Sequence, residues 1–193
     1  PGPDWGPARE TGACPVLVPR PNRPLVRRPP CPGRLTAQGV FTDPLSPAAP
    51  CGERMQRAAL AYRAPGDWGL PETPASLPVE KGLRLADPAG DGLYLLVDLQ
   101  REEAGLLHLD IALPEPARIL IGFGEHLDDL RARTSVGGRQ FAAVYEARAG
   151  RQTFTHALKR AGCRYVQLHI YAHAATLYYA GVCPTVYPVD YRP

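Results

Sequence analysis

The sequence predicts an all-β protein: an antiparallel β-sandwich of the jelly-roll kind, preceded by a proline-rich extended strap that carries one short helix. Three observations lead there. From Leu93 onward, apolar residues recur at every second position in run after run, the period of a strand with one buried face. Turns carrying Gly, Pro or Asp separate these runs at hairpin spacing, and no amphipathic helix of useful length lies between them, so βαβ crossovers have no material. Finally, seventeen of the 23 prolines fall within residues 1–78. Proline lacks an amide hydrogen and fixes φ, which keeps such a stretch out of a central sheet and out of long helices. The expected division is therefore residues 1–90 as strap and linker, and 91–193 as the sandwich.

Within the strap, Trp5, Val16, Leu17, Val18 and Leu25 read as isolated anchors on a surface that the chain crosses. "GERMQRAALAYRA" (52–64) is the helical segment, because Met55, Ala58, Ala59 and Tyr62 recur at i, i+3, i+4 and i+7 before "PGDWG" stops it. Residues 65–92 are turn-rich. "LYLLVDL" (93–99) and "GLLHLDIAL" (105–113) open the strand series. In the second, Leu107, Leu109, Ile111 and Leu113 share one face while Leu106, His108 and Asp110 take the other. "RILIGFGE" (118–125), then segments at 139–150, 151–158, 164–172 and 176–190, complete at least seven strands. His169 shares parity with Tyr165, Gln167 and Tyr171, which marks a polar strand face.

Length and composition bound the function. A chain of 193 residues suffices for one core with an appendage, and 45% hydrophobic with 21% charged residues is ordinary for a globular protein. A net charge of +3 argues for neither nucleic acid nor a membrane surface as partner. No apolar run approaches the roughly 20 residues of a membrane-spanning helix. The opening "PGPDWGPARE", without Met, reads as a piece of a longer chain. Five cysteines (14, 31, 51, 163 and 183) lack the C-x-x-C spacing of zinc sites and the density of a disulfide scaffold. They read as plain thiols, which favours a reducing compartment such as a bacterial cytoplasm, with pairing among Cys14, Cys31 and Cys51 the alternative for an exported protein.

The most suggestive letters are "ARILIGFGEHLDDLRA" (117–132). Gly122-Phe123-Gly124 offers a G-x-G, but the third glycine of a dinucleotide fingerprint is Leu127 here, and no Gly-Lys-Ser/Thr exists for a P-loop, so phosphate binding is rejected. Glu125, His126, Asp128 and Asp129 could form an acid/base or hard-metal cluster, yet adjacent carboxylates after a strand are usually a solvated turn, so no metal or cofactor is expected. Counting by two places Glu125 with Ile119, Ile121 and Phe123 on the inward face, and Arg164 with Val166, Leu168 and Ile170. An inward charge is costly unless paired, so Glu125 and Arg164 are expected either to meet as a bidentate pair or to snorkel to water at their strand ends.

Five short runs carry a family resemblance. "DWGPARETGACPVLVPRPNRPL" resembles the W-x-x-A … L-x-P-R-x-x-P-x-L segment of bacterial α-L-rhamnosidases, glycoside hydrolase family 78. "YLLVDLQREEAGLLHLDI" resembles the family's strand pair built around D-hydrophobic-G-R-x-x-x-G. "ILIGFGEHL" is similar to its Y-G-E-x-L, "FTHALKRAGCRYVQLHI" to its F-x-x-x-x-x-R-x-x-R-Y-V-x-L, and "VCPTVYPVDYRP" to the Y-P-V stretch leading into the catalytic domain. They keep family order from Trp5 to Pro193. Two positions depart: Gln100 stands where the family commonly has Gly, and Phe123 where it commonly has Tyr.

The resemblance implies a non-catalytic β-sandwich that packs on a catalytic (α/α)6 barrel of the same parent chain, with a rhamnose-containing saccharide as the further partner. The parent would hydrolyse its glycoside with inversion, which needs two carboxyl groups about 6.5–9.5 Å apart with room for a water. Those groups belong to the barrel, no residue here matches their motifs, and this chain alone is expected to be inactive. Trp5, Trp68, Tyr171, Tyr178 and Tyr179 are the aromatic surfaces that could stack on a pyranose. A second reading, a free-standing carbohydrate-binding or protein-interaction sandwich, also fits, because fold does not choose function. A third, an enzyme in its own right using His126, Asp128 or Asp129, would show itself as activity of the isolated chain on an aryl rhamnoside.

Overall fold

The protein is described by a computed structural model covering Gly12, residues 23–71 and residues 74–188. Its principal elements are β1 (Gly33–Thr42), α1 (Cys51–Arg57), β2 (Ala59–Tyr62), β3 (Leu83–Ala86), β4 (Gly92–Leu113), β5 (Ala117–Gly124), β6 (Ala142–Ala147), β7 (Gly150–Ile170) and β8 (Ala174–Val186). Every strand pair is antiparallel. The all-β sandwich read from the alternation is the architecture found. No helix among the described residues is long and apolar enough to cross a membrane.

Two strands serve both layers. The first half of β4 pairs with β1 and with residues 165–170 of β7; its second half pairs with residues 150–163 of β7 and with β8. β5 and β6 extend the first layer, and β3 extends the second. Thus "LYLLVDL" and "GLLHLDIAL" are halves of one 22-residue strand, and 151–158 and 164–172 merge in the same way. The break between the halves is local. Gln100 sits at φ 65, and the β4–β7 register shifts between Cys163 and Tyr165. Leu95, Val97, Leu109, Ile111, Ile121, Leu168 and Val182 then share one core, the inner faces of both layers. Period-two patterning works here because each of these side chains leaves the pleat on the same side.

The proline-rich half contributes more than a strap. Residues 33–42 contain no proline, and β1 uses that window to pair with β4 from Arg34↔Asp98 to Phe41↔Gly92, burying Leu35, Val40 and Phe41. Leu25, expected as an anchor, is exposed; Trp5, Val16, Leu17 and Val18 lie outside the described residues. The helix is also shorter than the 52–64 expected. After Arg57 the backbone of "ALAY" satisfies the free edge of β1 as β2, so tertiary pairing overrides a helical apolar spacing.

The supposed polar face of β7 is covered as well. Gln167 is fully buried and accepts the Ala132 N–H at 2.8 Å, while its side-chain nitrogen lies 2.9 Å from His169 Nε2. His169 stacks on Phe41 at 4.4 Å between ring centroids. Tyr94 donates its hydroxyl to Leu130 O, and Thr134 donates to Gly52 O at 2.6 Å. Residues 127–134 and α1 therefore form a lid over the outer face of the first layer, enclosing a second small core around Phe41, Tyr94 and Leu96.

Candidate functional site

A concavity of about 650 Å³ lies at the edge of the second layer, where Leu85, Leu113 and Ala175 line it from the core side and Arg84, Ala112 and Thr176 from the outer side. Register explains its floor. Arg84 pairs with Thr176, Thr176 with Ala112, and Ala112 with Arg151, so one row crosses four strands; Ala86 and Ala174 form the adjoining row. Ala86, Ala112 and Ala174 from these rows line the cleft, beside Leu85, Leu113 and Ala175 of the core. Trp68 supplies a wall. It ends a 3-10 turn, Pro65–Trp68, which Pro65 opens and Gly69 closes in the left-handed region (φ 64).

Trp68 is held by more than packing. Its Nε1–H donates to Asp87 Oδ2 at 3.4 Å, and Arg63 donates to the same oxygen at 2.7 Å. The Ala89 N–H, followed by Arg63 and Trp68, holds the Asp87 carboxyl below its ordinary value against the opposing effect of burial. Asp67, next to Trp68 on the rim, accepts a single hydrogen bond among the described residues, from the Ala64 N–H at 3.0 Å. The Arg84 guanidinium and the Thr176 hydroxyl have no hydrogen-bond partner among the described residues. A fixed indole, an apolar floor and three hydrogen-bonding side chains are what a small polar ligand with one apolar face requires.

Trp68 is therefore the one expected aromatic that the structure brings to a cleft. Tyr179 is buried at 2% exposure. Its hydroxyl donates to Cys31 O at 2.8 Å and accepts the Val182 N–H at 3.0 Å, so its ring is core. Tyr178 is covered by Arg151, whose guanidinium carbon lies 3.6 Å from the ring centroid and whose two nitrogens grip Asp110 at 3.1 and 2.8 Å. Tyr171 packs edge-on against Phe41. Its hydroxyl donates to Asp43 Oδ2 at 2.6 Å and accepts from Arg54 at 2.6 Å. Trp5 lies outside the described residues. Sequence reasoning missed Asp67, Arg84 and the alanine floor, because cross-strand register, which alone unites them, has no local signature.

Glu125 and Arg164 do not form the expected pair. Glu125 is exposed just beyond the last paired residue of β5, and Arg164 instead grips Asp98 with two bonds of 2.9 and 3.0 Å. The reason is the local break in β7, which sets Arg164 beside the turn that ends the first half of β4. Burial alone would raise the Asp98 carboxyl, but Arg164 and the Gln100 N–H outweigh it and the net shift is downward. The polar motif residues act as staples between strands: Asp98 with Arg164, and Arg160 with Thr185 at 2.7 Å.

A smaller cleft of about 260 Å³ at the end of β5 is lined by Glu125, His126 and Arg133 among others. Burial, and then the nearby Glu125 carboxylate, raise the Glu102 carboxyl, but both side chains face solvent and their coupling is screened. Asp128 and Asp129 are exposed on a tight hairpin, and no group of three or more His, Cys, Asp or Glu among the described residues is arranged to hold a metal ion.

Fold and site together define an antiparallel β-sandwich domain with a tryptophan-walled cleft at the edge of its second layer. No family model and no curated protein sequence matches the chain. Among solved structures, the chain is similar to a family GH78 rhamnosidase of Bacillus sp. GL1, with a TM-score of 0.52 and 25% identity over 59% of the chain. It is also similar, more distantly, to a rhamnosidase from Klebsiella oxytoca with rhamnose bound, with a TM-score of 0.39 and 14% identity over 84% of the chain and 30% of that enzyme. The match spans only 12% of the length of the Bacillus enzyme. The fold is thus GH78-like, a glycosidase-related β-domain.

Proposed function

We propose that the chain is the non-catalytic accessory sandwich of an α-L-rhamnosidase-like glycoside hydrolase, packing on an (α/α)6 catalytic barrel of its parent and contributing to carbohydrate binding. The likeness to the Bacillus rhamnosidase carries this reading, since it covers most of this chain yet a small fraction of that enzyme. The five motif runs in family order support it. An inverting acid/base pair would come from the barrel; here the exposed acids sit on a solvated turn, where no dry, opposed arrangement exists among the described residues.

The packing face is the edge where Val26 and Arg27 pair with the end of β8. Val26 lies opposite Val186, with Leu25 and Tyr187 beside them, at 44%, 36%, 49% and 49% exposure. Val26 and Val186 share one face of this edge, and Leu25 and Tyr187 the other, so the edge offers apolar surface on both sides. The test is reconstitution. The chain is mixed with the separately expressed (α/α)6 segment that this reading places after it, and association is read by calorimetry. A one-to-one complex, weakened by Val186→Asp, is expected; absence of any complex would overturn the packing assignment.

A further inference from the structure

We propose that the lid hairpin, residues 127–134, is a pH-operated latch: it lifts from the first layer when His169 takes up a proton, while the sandwich beneath stays folded. The device is independent of the glycosidase reading and turns on one side-chain amide. Gln167 lies between two groups on the buried outer face of β7. The Ala132 N–H of the lid is a fixed donor, so the atom 2.8 Å from it must be the amide oxygen. The amide nitrogen then faces His169 Nε2 at 2.9 Å and donates to it, which requires a neutral imidazole with its hydrogen on Nδ1. Protonation places a second donor on Nε2, against the Gln167 amide nitrogen. Turning the amide over restores that bond but brings its nitrogen against the Ala132 N–H. Either way a fully buried donor is left unpaired, so a charged His169 and a closed latch exclude one another.

The surroundings of the ring set the direction. Arg131 faces it from the lid, Arg54 from α1, Asp43 from the chain ahead of α1, and Tyr94 from β4. Tyr62 of β2 meets Tyr94, and Tyr171 stands edge-on beyond Phe41. Asp43, the anion of this set, is already held by Arg54 and Tyr171. With the lid closed, burial and then Arg131 hold the imidazole at about 3. Lifting the lid admits water and withdraws Arg131, which returns the ring towards its ordinary 6.5. A proton therefore favours the open lid at every pH below 6.5. The hairpin is also built to be released. Its tip, Asp129 and Leu130, holds φ 47 and 55, and leucine has no local hydrogen bond to offset the left-handed conformation. Tyr62 donates to Asp129 O at 2.7 Å and Tyr94 to Leu130 O, so docking keeps this turn in place.

Amide hydrogen exchange of the 193-residue chain, corrected for the intrinsic rate at each pH, tests the latch at pH 7.5 and 5. Peptides covering residues 127–134 are expected to lose protection by about thirtyfold on acidification, the ratio that one histidine moving between these two pKa values imposes. At both pH values they should stay less protected than residues 107–111, which are paired on both sides within the second layer. His169→Phe keeps a ring on Phe41 but binds no proton, and its lid should lose the pH dependence whatever its basal protection. Nitrogen-15 NMR of the wild-type histidines at pH 7.5 needs no variant. It should find His169 protonated on Nδ1 and bare on Nε2. Lid protection that is constant with pH, an equal loss in His169→Phe, simultaneous exchange of lid and core, or a hydrogen on Nε2 at pH 7.5 would each overturn the latch.

Discussion

His169 is the residue whose chemistry departs furthest from its sequence appearance. Burial, with a smaller contribution from Arg131, depresses its pKa from 6.5 to about 3. The unfolded chain therefore binds a proton between those values that the folded chain refuses, and stability must fall as pH drops below 6.5. The slope approaches about 1.4 kcal/mol per pH unit for one such group. Burial depresses His108 too, which adds to it with the same sign. The depressed carboxyls of Asp43, Asp87 and Asp98 act lower, their contribution being lost as pH falls through and below 3.8. Chemical denaturation of wild type and His169→Phe at pH 7.5 and 5 should show a much smaller pH effect in the variant; equal effects would contradict the buried neutral imidazole. At the neighbouring staple, Asp98→Asn should lower Tm, while Glu125→Gln should leave it unchanged, the reverse of what parity alone suggests. Gln100 holds φ 65 at a position where the resembled family commonly has Gly, and its N–H bonds Asp98 at 2.7 Å. Gln100→Gly should therefore stabilise the fold by about 1 kcal/mol in urea denaturation, through relief of left-handed strain.

At the scale of elements, alternation located the strands but not their ends. The runs at 93–99 and 105–113 read as two strands because Gln100–Ala104 interrupts the apolar pattern, yet the backbone continues through it. Periodicity describes which face a side chain takes, and it is blind to whether a polar stretch turns or merely bends. The same blindness hid the lid. Gln167 and His169 alternate as a solvated face would, and only residues 127–134, more than thirty positions away in sequence, bury them. Helix α1 is too short to persist alone and is held by the Asp43–Arg54–Tyr171 cluster, in which Arg54 Nε donates to Asp43 at 2.7 Å with side chains 7% and 5% exposed. Arg54→Met leaves a buried carboxylate uncompensated and should cost about 3 kcal/mol by denaturant unfolding. The pairing of β4 with β8 is equally tight: a Cβ on Gly105 would lie 2.1 Å from Cys183 O. Gly105→Ala should destabilise by about 3 kcal/mol through overpacking.

Across the whole molecule, the fold class was legible because both layers write the same period-two code into one interior. The candidate site was legible only at Trp68. Aromatic residues announce themselves in a sequence, but Tyr171, Tyr178 and Tyr179 spend their rings on a hydrogen-bonded cluster, a guanidinium and the core. Asp67, Arg84 and the three alanines became a site through pairing between strands far apart in the chain. The thiols follow the same packing logic. Cys31, Cys163 and Cys183 are buried, with burial pushing Cys163 up to about 12, whereas Cys51 is half-buried at the start of α1. Native-state alkylation followed by mass spectrometry should modify Cys51 well before those three. As proposed, this sandwich supports glycoside hydrolysis without performing it. The direct measurement compares turnover of 4-nitrophenyl α-L-rhamnopyranoside by the isolated 193-residue chain with turnover by the same chain joined to the catalytic segment that the proposal places after it. Hydrolysis by the extended protein alone is predicted; hydrolysis by the isolated chain, or by neither, would contradict it.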